Sequence, residues 1–262
     1  MGSFRVSDDQ VRSFAEDGYL MVPGMFDEVE TRLLYGIGKS DTEKRDRVGV
    51  ARDTEGRESK LWLSSDSRDD IYNAFVRSHR LAGTMEKLLG DEVYLYHYKM
   101  MVKEARVGGA WEWHQDYGYW YNNGCVYPDM GSVMIAVDGS KRANGCLEVL
   151  KGSHLCGRIE HGRSAEQIGA DTARVDLIKE QCEHVYCEME PGDALFFHAN
   201  LLHSSQANDS DDPRWVLICC YNTRHNPCRD LPGHPSYTPL EQWGDERIRE
   251  IGESRLAEME AG

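Results

Sequence analysis

VYLYHYKMMV, residues 93–102, is the stretch on which the fold turns. Its β-branched and aromatic residues mark a strand, and further runs of the same kind follow it between turn signals. They are GSVMIAVDG at 131–139, GCLEVLKGSH at 145–154, HVYCEM at 184–189, DALFFHA at 193–199 and RWVLICCYN at 214–222. Short strands at this spacing predict an antiparallel sandwich or barrel. Upstream, the period is helical. Ser7 caps a segment in which Val11, Phe14 and Ala15 share a face as far as Gly18, a second helical segment is predicted over 27–37, and a third and fourth over 69–89. Between these lies KSDTEKRDRVGVARDTEGRESK, 39–60, whose density of charge and lack of period read as a surface loop. A polar, helix-compatible stretch at 239–260 is expected to pack on the outside. The expected plan is one domain over 1–262: a mainly helical layer at 1–92, a β core at 93–225 and a C-terminal extension at 226–262.

Composition limits the function. The 262 residues are 40% hydrophobic and carry a net charge of −15, so the chain folds, and its mean field repels nucleic acid and anionic membrane surfaces. No stretch approaches the ~20 apolar residues of a membrane span. MGSFRVSDDQ at the start lacks the apolar centre of a signal peptide, and a cytoplasmic location is expected. The cysteines of so large a chain, with no CxxC pair, read as ordinary thiols rather than a disulfide framework. Cys219 and Cys220 lie inside WVLICCY as small core residues. Cys182, His184 and Cys187 lack the further ligands of a tetrahedral zinc site.

The chemistry gathers in two segments. GAWEWHQDYGYWYNNG, 109–124, holds His114 and Asp116 one residue apart. In extended backbone such residues project from one face and can share one ion. PGDALFFHANLLHSSQANDSDDPRW, 191–215, supplies a second imidazole at His203, with His198 as its rival. Two imidazoles and one carboxylate on one octahedral face leave three positions for a bidentate co-substrate and O2, as non-haem Fe(II) oxygenases require. A closed zinc site would need a fourth protein ligand. Ser205 and Arg214 follow. The guanidinium can clamp a carboxylate through parallel hydrogen bonds, which suits the distal carboxylate of 2-oxoglutarate.

WEWHQDYGYW, NGCLEVLKGSH, PGDALFFH and LHSSQANDSDDPRW resemble the phytanoyl-CoA dioxygenase superfamily, and within it the ectoine hydroxylases and free-amino-acid hydroxylases. DGYLMVPGMF, LWLSSDSRDDIYNAFVRSHRL and YHYKMMVK extend the likeness over nearly the whole chain. The resemblance implies a double-stranded β-helix (jelly-roll) core with flanking helices, and hydroxylation coupled to decarboxylation of 2-oxoglutarate to succinate and CO2. It assigns Fe(II) to His114, Asp116 and His203, and 2-oxoglutarate to Arg214, Ser205 and Lys99 with Trp111 beside it. It also places Trp120 in the substrate pocket. Asp116 stands intact where halogenating relatives lose the carboxylate, which implies a hydroxylase. His97 replaces a glutamine of ectoine hydroxylases, and Asn122 and Asn123 replace an acidic pair, so the substrate differs from ectoine. Trp120 and Tyr117, close after the ligands, offer aromatic faces to a cationic group, and an amine or amino-acid-like small molecule is the expected substrate. The same chemistry on an acyl-CoA, a phosphonate or a natural-product intermediate is the alternative, and a non-catalytic binding β-sandwich is the rival from another class.

Overall fold

The computed structural model describes residues 4–41, 48–164, 167–228 and 235–261. Helix α1 (Asp8–Asp17) opens on a capping box, in which Ser7 Oγ accepts from the Gln10 amide at 3.2 Å and Gln10 Oε1 from the Ser7 amide at 2.9 Å. Gly18, at φ 80°, ends it in the left-handed region that a side chain would disfavour. Strand β1 (Tyr19–Val22) and helix α2 (Glu28–Ser40) follow, then the hairpin β2 (Gly49–Arg52) and β3 (Glu58–Ser64). The third and fourth helical segments expected over 69–89 are α3 (Ile71–Val76) and α4 (Thr84–Leu89), with a π-helical turn (His79–Gly83) between them.

The remaining strands are β4 (Val93–Lys103), β5 (Trp111–His114), β6 (Met130–Ala136), β7 (Leu147–Leu150), β8 (His161–Ser164), β9 (Gln167–Ala170), β10 (His184–Cys187), β11 (Ala194–His198), β12 (His203–Ser205) and β13 (Arg214–Thr223). Helix α5 (Asp116–Trp120) follows β5, α6 (Thr172–Lys179) follows β9, and α7 (Glu246–Ala261) closes the chain. A seven-stranded sheet runs β1-β11-β6-β13-β4-β3-β2, and a four-stranded sheet runs β10-β7-β12-β5. All their pairings are antiparallel. This is the expected jelly-roll core.

Strand β13 shows why its sequence is apolar throughout. Trp215, Leu217, Cys219 and Tyr221 face a core shared with the helices, while Val216, Ile218 and Cys220 face the core between the sheets. A strand buried on both faces has no solvent side on which to alternate. Residues 1–92 hold strands as well as the expected helices, because β1 joins the larger sheet on β11, and β3, carrying β2 as its hairpin partner, joins it on β4. The surface loop expected at 39–60 is likewise corrected: 49–52 and 58–64 form a hairpin against β4, while 42–47 lie outside the described residues. Edge strands this short carry little pattern of their own; their partner supplies the hydrogen bonds. Helix α7 packs outside the sheets, on α2 and α3. A Cβ built on Gly252 would stand 2.9 Å from Leu33 and 3.1 Å from Ile71.

A second correction concerns the cysteines. Cys125, just beyond α5, is bonded to Cys228, just beyond β13, across a sequence separation of 103. The two segments meet at one end of the sandwich, a closeness that spacing along the chain does not encode. No helix among the described residues is long and apolar enough to cross a membrane.

One buried ion pair ties the helical layer together. The Arg80 guanidinium donates to both carboxylate oxygens of Glu30, at 2.5 and 3.1 Å, and to the Met25 carbonyl at 2.6 Å. Asp245 Oδ1 stands 3.2 Å from Nε as a second anion, so Glu30→Ala leaves the buried cation half-compensated and is expected to lower the unfolding free energy by about 2–4 kcal/mol, read from urea denaturation.

Candidate active site

The two ligands of the HxD pair sit on either side of a strand-to-helix junction. His114 is the last residue of β5, Gln115 is extended at φ −114° and ψ 135°, and Asp116 is the first residue of α5. Strand alternation alone was the expected cause of their convergence; the junction is the observed one. Gln115 anchors it from a fully buried position. Its amide nitrogen donates to the carbonyls of Gly157 at 2.8 Å and Asn200 at 2.7 Å, and its oxygen accepts from the Ile159 amide at 2.7 Å. Its backbone N–H donates to His161 Nε2 at 2.9 Å. His203 opens β12 and lies directly opposite His114 in the β12–β5 ladder.

The ligand atoms of His114, Asp116 and His203 all lie within 4.8 Å of one another, and all three side chains are buried. His203 Nε2 stands 4.0 Å from Asp116 Oδ1. The Nδ1 atoms face carbonyls that can only accept, Glu112 at 2.7 Å for His114 and Leu201 at 2.9 Å for His203. Both imidazoles are thereby held with the proton on Nδ1 and the Nε2 lone pair free for a metal. Burial, and for His114 also the neighbouring His203, holds them below the usual histidine range, hence neutral. For Asp116 burial pushes upward, yet Lys99 and the Ser132 hydroxyl, joined by the two imidazoles where these are protonated, bring the carboxyl down to about 2. Ser132 Oγ donates to Asp116 Oδ2 at 2.7 Å. Two neutral nitrogens and one carboxylate, with no fourth ligand among the described residues, fit a divalent ion with open positions.

His198 takes no part. Its Nδ1 accepts from the Asn200 amide at 3.0 Å, its ring packs against His154, and burial lowers it to about 4. His184 bonds Glu148 at 2.7 Å, and Cys187 lies in the core between the sheets.

Beside the triad a narrow recess runs between the sheets, walled by Met134, Leu147, Phe197 and Ile218 and reached by Trp111, Lys99, Ser205 and Arg214. Trp111 pairs in register with Ser205. Arg214 is 1% exposed, donates through Nη1 to the Gly145 carbonyl and has no hydrogen-bond partner for Nε. Burial lowers this guanidinium to about 10, and none of the ion pairs among the described residues includes it. A buried cation in this position fits an anion that arrives as a ligand. Sequence reasoning missed Lys103, which donates to Ser205 Oγ at 2.8 Å. Its signal was the strand period, since His97, Lys99, Met101 and Lys103 alternate onto one face of β4.

A family model described as phytanoyl-CoA dioxygenase matches residues 14–216. The chain belongs to the phytanoyl-CoA dioxygenase family. L-proline trans-4-hydroxylase of Streptomyces griseoviridis is 30% identical over 261 residues, covering 89% of this chain and 91% of that protein. Ectoine dioxygenase of Bordetella parapertussis is 26% identical over 238 residues, covering 84% and 77%. Among solved structures, EctD from S. alaskensis with 2-oxoglutarate and 5-hydroxyectoine superposes with a TM-score of 0.78 at 20% identity, over 91% of this chain and 88% of that one. The fold is shared. The protein is an Fe(II)- and 2-oxoglutarate-dependent dioxygenase of this family, with the His114, Asp116 and His203 triad in place.

On the outer side of the triad this family member opens a cavity of about 270 Å³. Helix α5 and the turn after it present Asp116, Tyr119, Trp120 and Asn123 to it at helical spacing. Tyr117 was expected there and is not among the lining residues. It leaves the helix in another direction, and its hydroxyl donates to the carbonyls of Cys125 at 3.1 Å and Val126 at 2.6 Å. A helical period counted from Asp116 would have selected Tyr119 instead. From β4 come Tyr96 and His97, adjacent residues that both reach the cavity because the β13–β4 register slips at Cys220/Tyr221. Their rings lie 5.3 and 5.9 Å from that of Trp120. Trp120→Ala is expected to raise the KM for the primary substrate about 10- to 100-fold, whereas Tyr117→Phe leaves it within about twofold, both from initial rates of succinate formation.

Proposed function

We propose that the protein hydroxylates an unactivated C–H of a small amino-acid-like molecule, with decarboxylation of 2-oxoglutarate to succinate and CO2. The observation that carries this reading is the triad lying between two unlike volumes. One is a narrow recess ending on a buried guanidinium that none of the ion pairs among the described residues includes, and the other is an aromatic cavity. Bound Fe(II), 2-oxoglutarate and O2 supply the oxidising power. The chain supplies position. Arg214 and Ser205 bind the distal carboxylate, Trp111 walls the co-substrate, and Lys99 lines both volumes.

In the cavity, Trp120 and Tyr119 offer faces to a substrate ammonium, and Lys99 and His97 face a carboxylate. A volume of about 270 Å³ lies at the lower edge of the roughly 300–1,000 Å³ typical of ligand sites, which favours a small molecule over an acyl-CoA. Relatives acting on L-proline and ectoine support the same substrate class. The test is succinate formation in the presence of a panel of amino acids, cyclic amines, phosphonates and acyl-CoAs, with the product identified by NMR. An amino acid or cyclic amine should stimulate succinate formation in step with a hydroxylated product. Stimulation by acyl-CoAs or phosphonates alone would overturn the assignment.

A further inference from the structure

Lys103 ends β4, is fully buried, and makes all its hydrogen bonds with neutral oxygens. Nζ donates to Ser205 Oγ at 2.8 Å, to the Ser205 carbonyl at 3.3 Å and to the Gln206 carbonyl. Across the β13–β4 ladder it is the register partner of Arg214. Two cations thus lie side by side in the interior, and none of the ion pairs among the described residues includes either. Burial, and next the neighbouring Arg214, push Lys103 well below the usual lysine range, against the weaker pull of Glu148 and Asp53, while Asp138 acts on Arg214 without an ion pair to it. Gly145 completes the packing. Its carbonyl accepts from Arg214, and a Cβ there would stand 2.1 Å from the Gln206 oxygen and 3.1 Å from Lys103 Nζ. An unbalanced pair of buried cations is costly to a fold, and an anion in the adjoining recess removes the imbalance.

We propose that Lys103 is a positioning residue for 2-oxoglutarate, acting through Ser205. Its ammonium occupies an acceptor site on Ser205 Oγ, so the hydroxyl turns its own proton toward the recess that Ser205 lines. A hydroxyl that accepts from an ammonium is polarised and donates more strongly. The distal carboxylate of the co-substrate then meets Arg214 directly and Ser205 as an oriented donor, with Lys103 behind it.

The inference rests on placing 2-oxoglutarate against Arg214 and Ser205, and its test separates the two. Anaerobic titration of the Fe(II)-loaded protein with 2-oxoglutarate, followed by the visible charge-transfer band, gives Kd without turnover. Lys103→Met removes the charge while filling the space, and should raise Kd about 10- to 100-fold. Lys103→Gln keeps an N–H donor for Ser205 and should fall between Lys103→Met and the wild type, which also serves if Lys103→Met fails to fold. Ser205→Ala combined with Lys103→Met should be no weaker than the worse single variant within about threefold, because the lysine acts through that hydroxyl. Fe(II) affinity measured without 2-oxoglutarate should stay within about twofold of wild type in each folded variant. Wild-type affinity for 2-oxoglutarate in Lys103→Met, or losses that multiply in the double variant, would refute the role of Lys103. Failure of the wild type to bind 2-oxoglutarate would refute the underlying assignment instead.

Discussion

Asp116→Ala is expected to lower turnover by on the order of 1,000-fold or more, with the fold intact. Asp116 is the anionic member of the ligand set, and without it two neutral imidazoles remain. Iron affinity should therefore fall in parallel, which metal titration of the variant measures separately from rate. The stability side of the prediction has its own sign. In the metal-free protein the desolvation cost of this buried carboxylate is more than offset by Lys99, the imidazoles and Ser132, which hold the carboxyl at about 2. Removing it leaves Ser132 Oγ with Cys220 Sγ as a neighbour at 3.3 Å. The metal-free variant should thus melt roughly 3–8 °C below the metal-free wild type, still in one cooperative transition. A variant that loses activity because it unfolds would show that Asp116 serves the core, contrary to the reading given above.

Arg214→Met should act on a different quantity. With Arg214 as the proposed anchor of the distal carboxylate, its loss is expected to raise the KM for 2-oxoglutarate about 100-fold or more, with a smaller change in kcat at saturating co-substrate. Methionine fills much of the volume without a charge, so the variant should be no less stable than the wild type in the absence of ligand. Initial rates across a 2-oxoglutarate series, with thermal melts of the same samples, test both parts. An unchanged 2-oxoglutarate requirement would show that the buried guanidinium serves the Gly145 carbonyl alone.

Much of the architecture was legible in local pattern. Ser7 and Gly18 bound α1 as their capping chemistry requires, and the apolar runs from Val93 to Asn222 became strands of the two sheets. The triad was legible too, through residue types. What local pattern misassigned was direction. Tyr117 stood beside the ligands in sequence, yet Tyr119 reaches the cavity, because the backbone turns helical at Asp116. The strands β1 and β3 were hidden for a related reason, since each owes its state to a partner elsewhere in the chain, β11 and β4, and the four-residue β2 forms only against β3.

The sequence by itself determined the composition of the core, the caps of the first helix and the chemical identity of a centre made of His114, Asp116 and His203. These depend on side-chain type and on spacings of a few residues, which the chain carries wherever it goes. Only the tertiary structure decided that His203 faces His114, that Cys125 meets Cys228, that Arg214 is buried with Nε unpartnered, and that Lys103 holds the hydroxyl of Ser205. Those facts belong to strand register and to burial. Both arise when distant segments exclude water from one another, and neither is written in the residues taken singly.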